Sequence, residues 1–312
     1  MTEFISRFAP SPTGNLHIGS ARTALINFIF KSKNTNSKLY LRIEDTDKER
    51  STEEYKNNIL NSLKWLGINW DNEPQIQSQN INRHLEIANK LLEKNKAYKC
   101  ICTENELDER RRKINSGEIS SKKICITCEK NKEVQSLETE FVIRIKVPLE
   151  GVEILEDIIQ GRVEVKNYQI DDYVLVRKDL TPTYMLSVVV DDHDLGVNYI
   201  IRGDDHLKNT AKHIQVMDAM GYDRPQFIHL PMILGSDGSR LSKRHGAMNI
   251  LEYKDQGFLP AAVLNYLVRL GWSFGDQEIF TIEEMIDKFD VKNLNKSSAQ
   301  FDLEKLQWLN QQ

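Results

Sequence analysis

The feature that most constrains the fold is the stretch Arg7–Ser20, which reads RFAPSPTGNLHIGS. Apolar and polar residues alternate as it begins, as in a short β-strand, and apolar residues recur at helical spacing after it. Its two prolines and two glycines restrict the connection to a rigid turn. The sequence therefore predicts a strand, a turn and a helix beginning near Ser20, whose free N–H groups and positive dipole end suit a phosphate.

Two residues of this turn are suited to a bound phosphate. His17 can donate a hydrogen bond, and Gly19 has no side chain to keep a ligand from the backbone. An ordinary strand-to-helix turn with a surface histidine would explain a single His-x-Gly, but the length of the whole stretch argues against it. Neither G-x-G-x-x-G nor a Walker lysine loop is present, so those phosphate-binding loops are excluded.

Composition indicates a soluble globular protein, with 28% charged and 40% hydrophobic residues. The length of 312 residues allows two or three domains. No apolar run approaches the ~20 residues of a membrane helix, and the N-terminus lacks a secretion signal. We therefore expect a cytoplasmic protein without a membrane partner. The net charge of −4 means that any nucleic acid must be bound by local basic patches.

A second predicted strand, Lys38–Ile43, ends in Glu44-Asp45-Thr46-Asp47. Carboxylates at the carboxyl end of a strand lie where open α/β sheets bind ligands. A solvated acidic turn that caps the following helix explains the same residues equally well. Later in the chain, residues 191–193 read Asp-Asp-His. They could be mistaken for metal ligands, but we expect the carboxylates to bond to backbone and side chains near the site.

All four cysteines fall in one short segment, as Cys100-Ile101-Cys102 and Cys125-Ile126-Thr127-Cys128. Two close pairs separated by a polar segment match the layout of a structural Zn²⁺ site with four thiolates. The spacing thus predicts zinc bound by the residues Cys100, Cys102, Cys125 and Cys128. Four reduced thiols in two strands remain the alternative, because C-x-C is a less common pair than C-x-x-C.

A basic loop follows the last predicted strand of the sheet, Phe227–Ile233. The loop spans residues 235–246 and contains Leu241-Ser242-Lys243-Arg244. Alone, such a loop is usually a surface turn. Here its strand should end at the same sheet edge as the histidine turn, so that a mobile lysine could close over phosphates.

Both loops resemble the signatures of class I aminoacyl-tRNA synthetases. The first usually ends in histidine, and the glutamyl branch often has a small residue where this chain has Ser20. The second is centred on Leu241-Ser242-Lys243, and Arg244 matches the glutamyl form. The acidic string after Ile43 is also similar to that branch. The resemblance is to the catalytic portion of the bacterial glutamyl family and covers nearly the whole chain.

The resemblance implies an α/β fold with a doubly wound parallel sheet, a Rossmann-type nucleotide-binding domain. That domain would be split into residues 1–95 and 186–235. Residues 96–185 would form an inserted α+β acceptor-binding domain with the zinc knuckle, and 236–312 would hold the lysine loop and a helical stem-contact domain. In the family an anticodon-binding part follows. The chain stops at Gln312, so we expect either a truncated piece or a naturally short relative.

The resemblance also implies site residues. The catalytic pair would be His17 and Lys243; glutamate would be bound by Arg7, Ser11, Glu44, Tyr184 and Arg202; ATP would be bound by His17, Gly19, Asp205, His206 and Lys243. A carboxylate at Glu44 suits the α-amino group of the amino acid. Two arginines suit the two carboxylates of glutamate, and which arginine takes which carboxylate is left open.

The activity implied is attachment of L-glutamate to the 3′ end of tRNA(Glu) through a glutamyl-adenylate, with ATP and Mg²⁺ and a monomeric enzyme. A short paralogue that glutamylates a modified tRNA base is the nearest alternative, but such paralogues tend to have a degraded lysine loop. Glutamine is disfavoured as substrate, because Arg202 would place a charge against an amide. An adenylyltransferase for a small molecule would not need residues 96–185, and a non-catalytic tRNA-binding module would tolerate the loss of Lys243.

Overall fold

The helices and strands alternate through most of the chain. The computed structural model describes residues 3–242, 245 and 248–312. In chain order its elements are β1 (Ile5–Phe8), α1 (Ile18–Lys33), β2 (Lys38–Ile43), α2 (Glu53–Trp65), β3 (Gln75–Ile76), α3 (Ile81–Glu93), β4 (Ala97–Cys100), α4 (Glu104–Asn115), α5 (Lys132–Gln135), β5 (Val142–Ile145), β6 (Val152–Asp157), β7 (Gly161–Lys166), β8 (Val174–Val176), α6 (Tyr184–Asp194), β9 (Tyr199–Gly203), α7 (Leu207–Met220), β10 (Gln226–Leu230), β11 (Ile233–Leu234), α8 (Ile250–Asp255), α9 (Pro260–Arg269), α10 (Ile282–Lys288), β12 (Ala299–Gln300) and α11 (Leu303–Gln311).

Parallel strands carry the site. The order β1-β2-β3 forms one parallel set, and β7-β6-β10-β9 forms another, in which only β7 is antiparallel. The two sets meet where β1 lies beside the start of β9: the Asn198 N–H donates to the Ile5 carbonyl oxygen at 3.0 Å, and the Ile5 N–H donates to Asn198 Oδ1 at 2.8 Å. The carboxyl ends of β1, β2 and β9 therefore face one edge. The predicted parallel sheet is therefore present, with its strand ends at one edge.

The strand-turn-helix prediction at Arg7–Ser20 is confirmed, with one correction: α1 begins at Ile18, two residues before the predicted position. The imidazole causes the earlier start. His17 Nδ1 accepts hydrogen bonds from the backbone N–H groups of Gly19 at 3.1 Å and Ser20 at 3.4 Å, which makes it the N-cap. Leu25 and the other inward residues of α1 are fully buried.

A smaller antiparallel sheet, β4-β5-β8, lies within the predicted inserted segment, together with α4 and α5. The hairpin β6–β7 also falls within residues 96–185, but β6 pairs in parallel with β10, with Asp157 opposite Phe227. The hairpin thus belongs to the sheet of the 186–235 segment. The division of the chain into domains stays a prediction, and this pairing shows that the segments share a sheet.

The predicted strand Phe227–Ile233 is wrong in length, because β10 ends at Leu230. Pro231 has no N–H to continue a ladder, and its carbonyl oxygen accepts a 2.8 Å hydrogen bond from Arg22 instead. The chain resumes as β11, which pairs in parallel with β12 near the C-terminal helix. The C-terminal helices share one hydrophobic core with α1 and β1, in which Val263 and Leu267 are fully buried. In the described part of the chain, no helix has the length and apolarity to cross a membrane.

Candidate active site

An open cleft of about 1340 Å³ lies at the carboxyl ends of the parallel strands. Its lining includes every predicted site residue of the cleft that the structure describes, namely Arg7, Ser11, His17, Gly19, Glu44, Tyr184, Arg202, Asp205 and His206. Arg7 comes from β1, Glu44 follows β2 and Arg202 comes from β9. Sheet topology therefore brings together residues up to 199 positions apart in sequence. Lys243, the remaining predicted residue, lies outside the described residues, as does Arg244.

His17 faces the cleft at the beginning of α1. Because Nδ1 accepts from two backbone N–H groups, Nε2 carries the proton of the neutral ring, and it lies 3.1 Å from Ser20 Oγ. Partial burial in the cleft, and then the charge of Arg240, lower the pKa of His17. The neutral form can still donate one hydrogen bond from Nε2 toward the cleft, at the positive end of the α1 dipole. The predicted phosphate donor therefore has a suitable tautomer.

The lysine loop reaches this cleft. Arg240 and Ser242, in the described part of the loop, line the cleft, and so does Asn249, which follows the loop. Asn249 forms an isolated antiparallel bridge with His17, and the Ile250 N–H donates to the Leu16 carbonyl oxygen at 2.9 Å. The exit of the loop is thus tied directly to the histidine turn.

A buried network of charges supports one side of the cleft. Asp192 accepts hydrogen bonds from Arg7 Nε at 3.0 Å and from Arg42 Nη1 at 2.7 Å. Arg42 is fully buried and also donates to Glu44 Oε1 at 3.0 Å. Burial raises the pKa of Glu44 while Arg42 and Arg7 oppose that rise, whereas the same two arginines outweigh burial at Asp192 and lower its pKa. The hydrogen bond from Arg42 fixes the position of the Glu44 carboxyl group at the cleft wall.

The acidic pair in α6 supports this network, as the sequence predicted. Asp191 is fully buried and accepts hydrogen bonds from Gln77 Nε2 at 2.8 Å and Asn80 Nδ2 at 2.6 Å, with His84 Nε2 at 2.8 Å. Its carboxylate also lies 3.8 Å from Arg42. Sequence reasoning missed Arg42, whose only signal was its position two residues before Glu44 in a strand that alternates toward the cleft.

Arg202 has quite different surroundings. In residues 3–242, 245 and 248–312, no aspartate or glutamate pairs with its guanidinium. Its partners are the neutral acceptors Thr210 Oγ1 at 2.7 Å, the Tyr184 hydroxyl at 3.2 Å, His229 Nε2 at 3.2 Å and His213 Nδ1 at 3.3 Å. Burial lowers the pKa of Arg202 from its usual value, which nonetheless leaves an arginine charged at neutral pH. The cleft therefore contains a buried cation that an anionic group of a ligand could neutralise.

Tyr184 and His206 complete this side of the cleft. The Tyr184 hydroxyl lies 2.9 Å from His206 Nδ1. Burial, and then the charge of Arg202, lowers the pKa of His206 to about 4, so this ring is neutral at pH 7. Asp205 is exposed and forms an ion pair with Arg240 at 3.4 Å across the cleft. Polar groups of both signs are thus arranged around an open volume large enough for a nucleotide and an amino acid.

The four cysteines converge elsewhere, on the small sheet. Their Sγ atoms all lie within 4.8 Å of one another, and Cys100, Cys125 and Cys128 are buried. Cys102 Sγ lies 3.5 Å from Cys125 Sγ and 3.6 Å from Cys128 Sγ. Those distances exclude a disulfide and approach the roughly 3.8 Å edge of a tetrahedron with 2.3 Å Zn–S bonds. Burial, followed by the neighbouring thiols, raises the pKa of Cys102 to about 12, so a cation is needed to hold the thiolate forms.

Comparisons with known proteins agree on one family. The model of tRNA synthetases class I (E and Q), catalytic domain, matches residues 3–308. A glutamate–tRNA ligase of Thermodesulfovibrio yellowstonii is 50% identical over 304 residues, which are 97% of this chain and 64% of that protein. A glutamate–tRNA ligase of Lawsonia intracellularis is 50% identical over 311 residues, 99% of this chain and 66% of that protein. The chain thus spans slightly less than two thirds of the length of these relatives.

A solved structure gives the same result at the level of the fold. The crystal structure of a glutamate tRNA ligase from Elizabethkingia meningosepticum, in complex with its amino acid, superimposes with a TM-score of 0.90 at 34% sequence identity. The superposition covers 99% of this chain and 69% of that one. Because the family model and the relatives extend over nearly all of its residues, the chain belongs to the class I tRNA synthetases (E and Q), in their catalytic domain.

Proposed function

We propose that this chain is the catalytic part of a glutamate–tRNA ligase, which activates L-glutamate with ATP and Mg²⁺ and transfers it to the 3′ end of tRNA(Glu). The observation that carries the proposal is that Arg7, Glu44 and Arg202 line the same cleft as the histidine turn. An α-amino acid with a second carboxylate carries one ammonium group and two carboxylates. One fixed carboxylate and two guanidinium groups complement those charges.

The proposed reaction has two steps. An oxygen of the glutamate α-carboxylate attacks the α-phosphorus of ATP, and pyrophosphate leaves with the electron pair of the broken P–O bond. A ribose hydroxyl of the tRNA then attacks the carbonyl carbon of glutamyl-adenylate, and AMP leaves. Neither step needs a protein nucleophile. The backbone N–H groups at the start of α1, the Nε2–H of His17 and the lysine loop would orient the phosphates and stabilise their charge.

In addition to the substrates, we propose that the chain binds a structural Zn²⁺. Cys100, Cys102, Cys125 and Cys128 would hold one Zn²⁺ as a closed structural site with no open position. Bound there, the ion supplies a cross-link between β4 and the segment that precedes β5. This segment includes α4, whose only buried residue is Leu107, so it has little core of its own. The ion takes no part in the reaction.

The decisive assay is ATP–pyrophosphate exchange in the presence of tRNA, with glutamate, glutamine and aspartate compared side by side. We expect exchange with glutamate alone. Exchange with none of the three, in metal-replete folded protein, would contradict the proposal.

Removal of the 3′-terminal adenosine from the tRNA separates the two sites of transfer. The trimmed tRNA has lost the ribose that accepts the amino acid, whereas a modified base is unaltered. We expect trimming to abolish glutamate transfer. Transfer that persists would favour the base-modifying alternative, which the names of the most similar relatives do not support. Sedimentation of the same sample would test the predicted monomer.

A further inference from the structure

A chain of polar groups lies behind Arg202, on the side away from the cleft. It begins at Asp157, at the end of β6, and passes through His229 in β10 to the Arg202 guanidinium in β9. All three residues are buried, and His229 is completely so. The three strands are neighbours in the order β6-β10-β9, so the chain of contacts runs across the sheet.

The direction of the hydrogen bonds in this chain is fixed at Asp157. Its Oδ1 accepts from the backbone N–H groups of Ile159 at 2.9 Å and Gln160 at 2.8 Å. Its Oδ2 lies 3.0 Å from the His229 backbone nitrogen and 2.7 Å from His229 Nδ1. A carboxylate only accepts hydrogen bonds, so His229 Nδ1 must carry a proton. Burial lowers the pKa of His229, which keeps the ring neutral and makes Nε2 an acceptor.

That acceptor matters because Arg202 Nε donates to it at 3.2 Å. Nε joins the guanidinium group to the aliphatic part of the side chain, so this contact sets the orientation of the whole guanidinium plane. The remaining nitrogens bond to Thr210, Tyr184 and His213, all neutral. Arg7 is anchored in the opposite way, with its Nε directly on the carboxylate of Asp192. The imidazole between Asp157 and Arg202 thus replaces a direct ion pair.

This substitution has an electrostatic consequence. A carboxylate placed directly on Arg202 would neutralise it and reduce its attraction for a ligand anion. A neutral imidazole orients the guanidinium without cancelling its charge. In the opposite tautomer, the Nε2 proton would face the Thr210 hydroxyl at 3.0 Å, and Arg202 Nε would lose its acceptor.

We propose that Arg202, which has only neutral partners among the described residues, binds the substrate side-chain carboxylate, whereas Arg7 is already paired with Asp192. Asp157 and His229 are then positioning residues that hold Arg202 toward the cleft with its charge intact, and so favour a side-chain carboxylate over a carboxamide. The inference rests on the proposed function. The carboxamide of glutamine carries no charge, so Arg202 would stay buried without a counter-ion when glutamine is bound. Glutamine should therefore bind more weakly than glutamate. The β6–β7 hairpin, through Asp157, becomes part of the specificity of the site.

The first test uses the unaltered chain and needs no activity. Histidine-selective ¹⁵N labelling and long-range ¹H–¹⁵N correlation report the tautomer of each of the seven histidines. The Asp157→Asn variant identifies the His229 signals by their shift. A neutral ring protonated at Nδ1 is expected. A ring protonated at Nε2, or doubly protonated at pH 7, would overturn the proposal.

The second test measures glutamate and glutamine binding by calorimetry. Asp157→Asn is expected to weaken glutamate binding about tenfold, to change glutamine binding little and to leave ATP binding unaltered, so that selectivity falls about tenfold. Glu153→Gln is the matched control, because Glu153 is a buried carboxylate in the same strand that contacts Gln215 and Arg224 instead. Equal loss for both amino acids, or equal loss in both variants, would show a merely structural role. If the unaltered chain binds no glutamate, the proposed function fails instead.

Discussion

The cleft is lined by side chains that buried ion pairs and a large shared core hold in place, whereas the segment 97–135, which we call the cysteine region, has a small core. In the described residues that core consists of Tyr98, Cys100, Cys125, Cys128 and Val134. Three of its five members are candidate metal ligands. The cleft is therefore organised by the fold itself, and the cysteine region depends on a cross-link. The two should respond separately when either is disturbed.

We expect removal of the metal to produce the largest difference between the cysteine region and the cleft. We expect one zinc per chain, and a chelator should unfold the cysteine region, since the binding energy of a structural Zn²⁺ is folding energy of order 10 kcal/mol. Hydrogen exchange should accelerate in α4 and β4 but remain slow in α1 and β9. Elemental analysis and exchange measured on the same sample provide the check. Absence of zinc from metal-replete protein, or collapse of both regions together, would contradict the separation.

The opposite disturbance is Asp192→Asn, which removes the carboxylate shared by Arg7 and Arg42. Arg7 loses its carboxylate partner, and Arg42 keeps Glu44 and Asp191 but loses the nearest of its three carboxylates. We therefore expect a loss of about 3–5 kcal/mol in the free energy of unfolding. The pKa of Asp192 is lowered on folding, so its contribution is present above the unfolded value of 3.8 and lost as pH falls through the folded value. As pH falls below 3.8, the free energy of unfolding should therefore decrease less in the variant than in the unaltered chain.

Chemical denaturation at pH 7 and at acid pH measures this contribution. Asp194→Asn is the matched control, because Asp194 lies in the same helix and pairs with Arg83 at the surface. We expect its effect to be about 1 kcal/mol or less. An equal loss in the two variants would show that the buried network has no special role.

Lys243→Ala tests the chemistry that we propose for the cleft. A cation that meets charge developing on departing pyrophosphate contributes to the transition state alone, so the adenylation rate should fall by about 10²–10³. Stability and the metal content of the cysteine region should not change. Lys90→Ala, at an exposed position in α3, serves as the control. A rate equal to that of the unaltered chain would refute the proposed role of Lys243.

Local patterns predicted the parts of the fold that local physics decides. Arg7–Ser20 predicted β1, the turn and α1, because proline, glycine and apolar spacing act within a few residues. Lys38–Ile43 was predicted with its exact bounds. The nine described residues of the predicted cleft do line one volume. Their individual roles stay predictions.

Features decided by long-range pairing could not be predicted in this way. Nothing around Asp157 indicates that β6 pairs with β10, since the partner strand lies some 70 residues later. The contact between Asp157 and His229 follows from that register alone. Arg202 was singled out through the family resemblance. That no described aspartate or glutamate pairs with it depends on β9, α6, α7 and β10 together. Sequence reasoning thus identified the residues that face the cleft and missed those behind them.

We expect the smallest effect from removing the same kind of helix N-cap in the cysteine region and in the large core. Thr103 is the N-cap of α4 in the cysteine region, and Thr281 is the N-cap of α10 in the large core. Each forms a capping box, Thr103 with Glu106 and Thr281 with Glu284. Replacing either threonine by alanine removes a hydrogen bond to a backbone N–H, at a cost of about 1 kcal/mol in helix stability. If the regions unfold separately, Thr103→Ala should speed hydrogen exchange in α4 without changing global stability. Thr281→Ala should lower the free energy of global unfolding by nearly the whole amount. Equal global losses, measured by denaturation, would mean that the cysteine region is as tightly coupled to the core as α10.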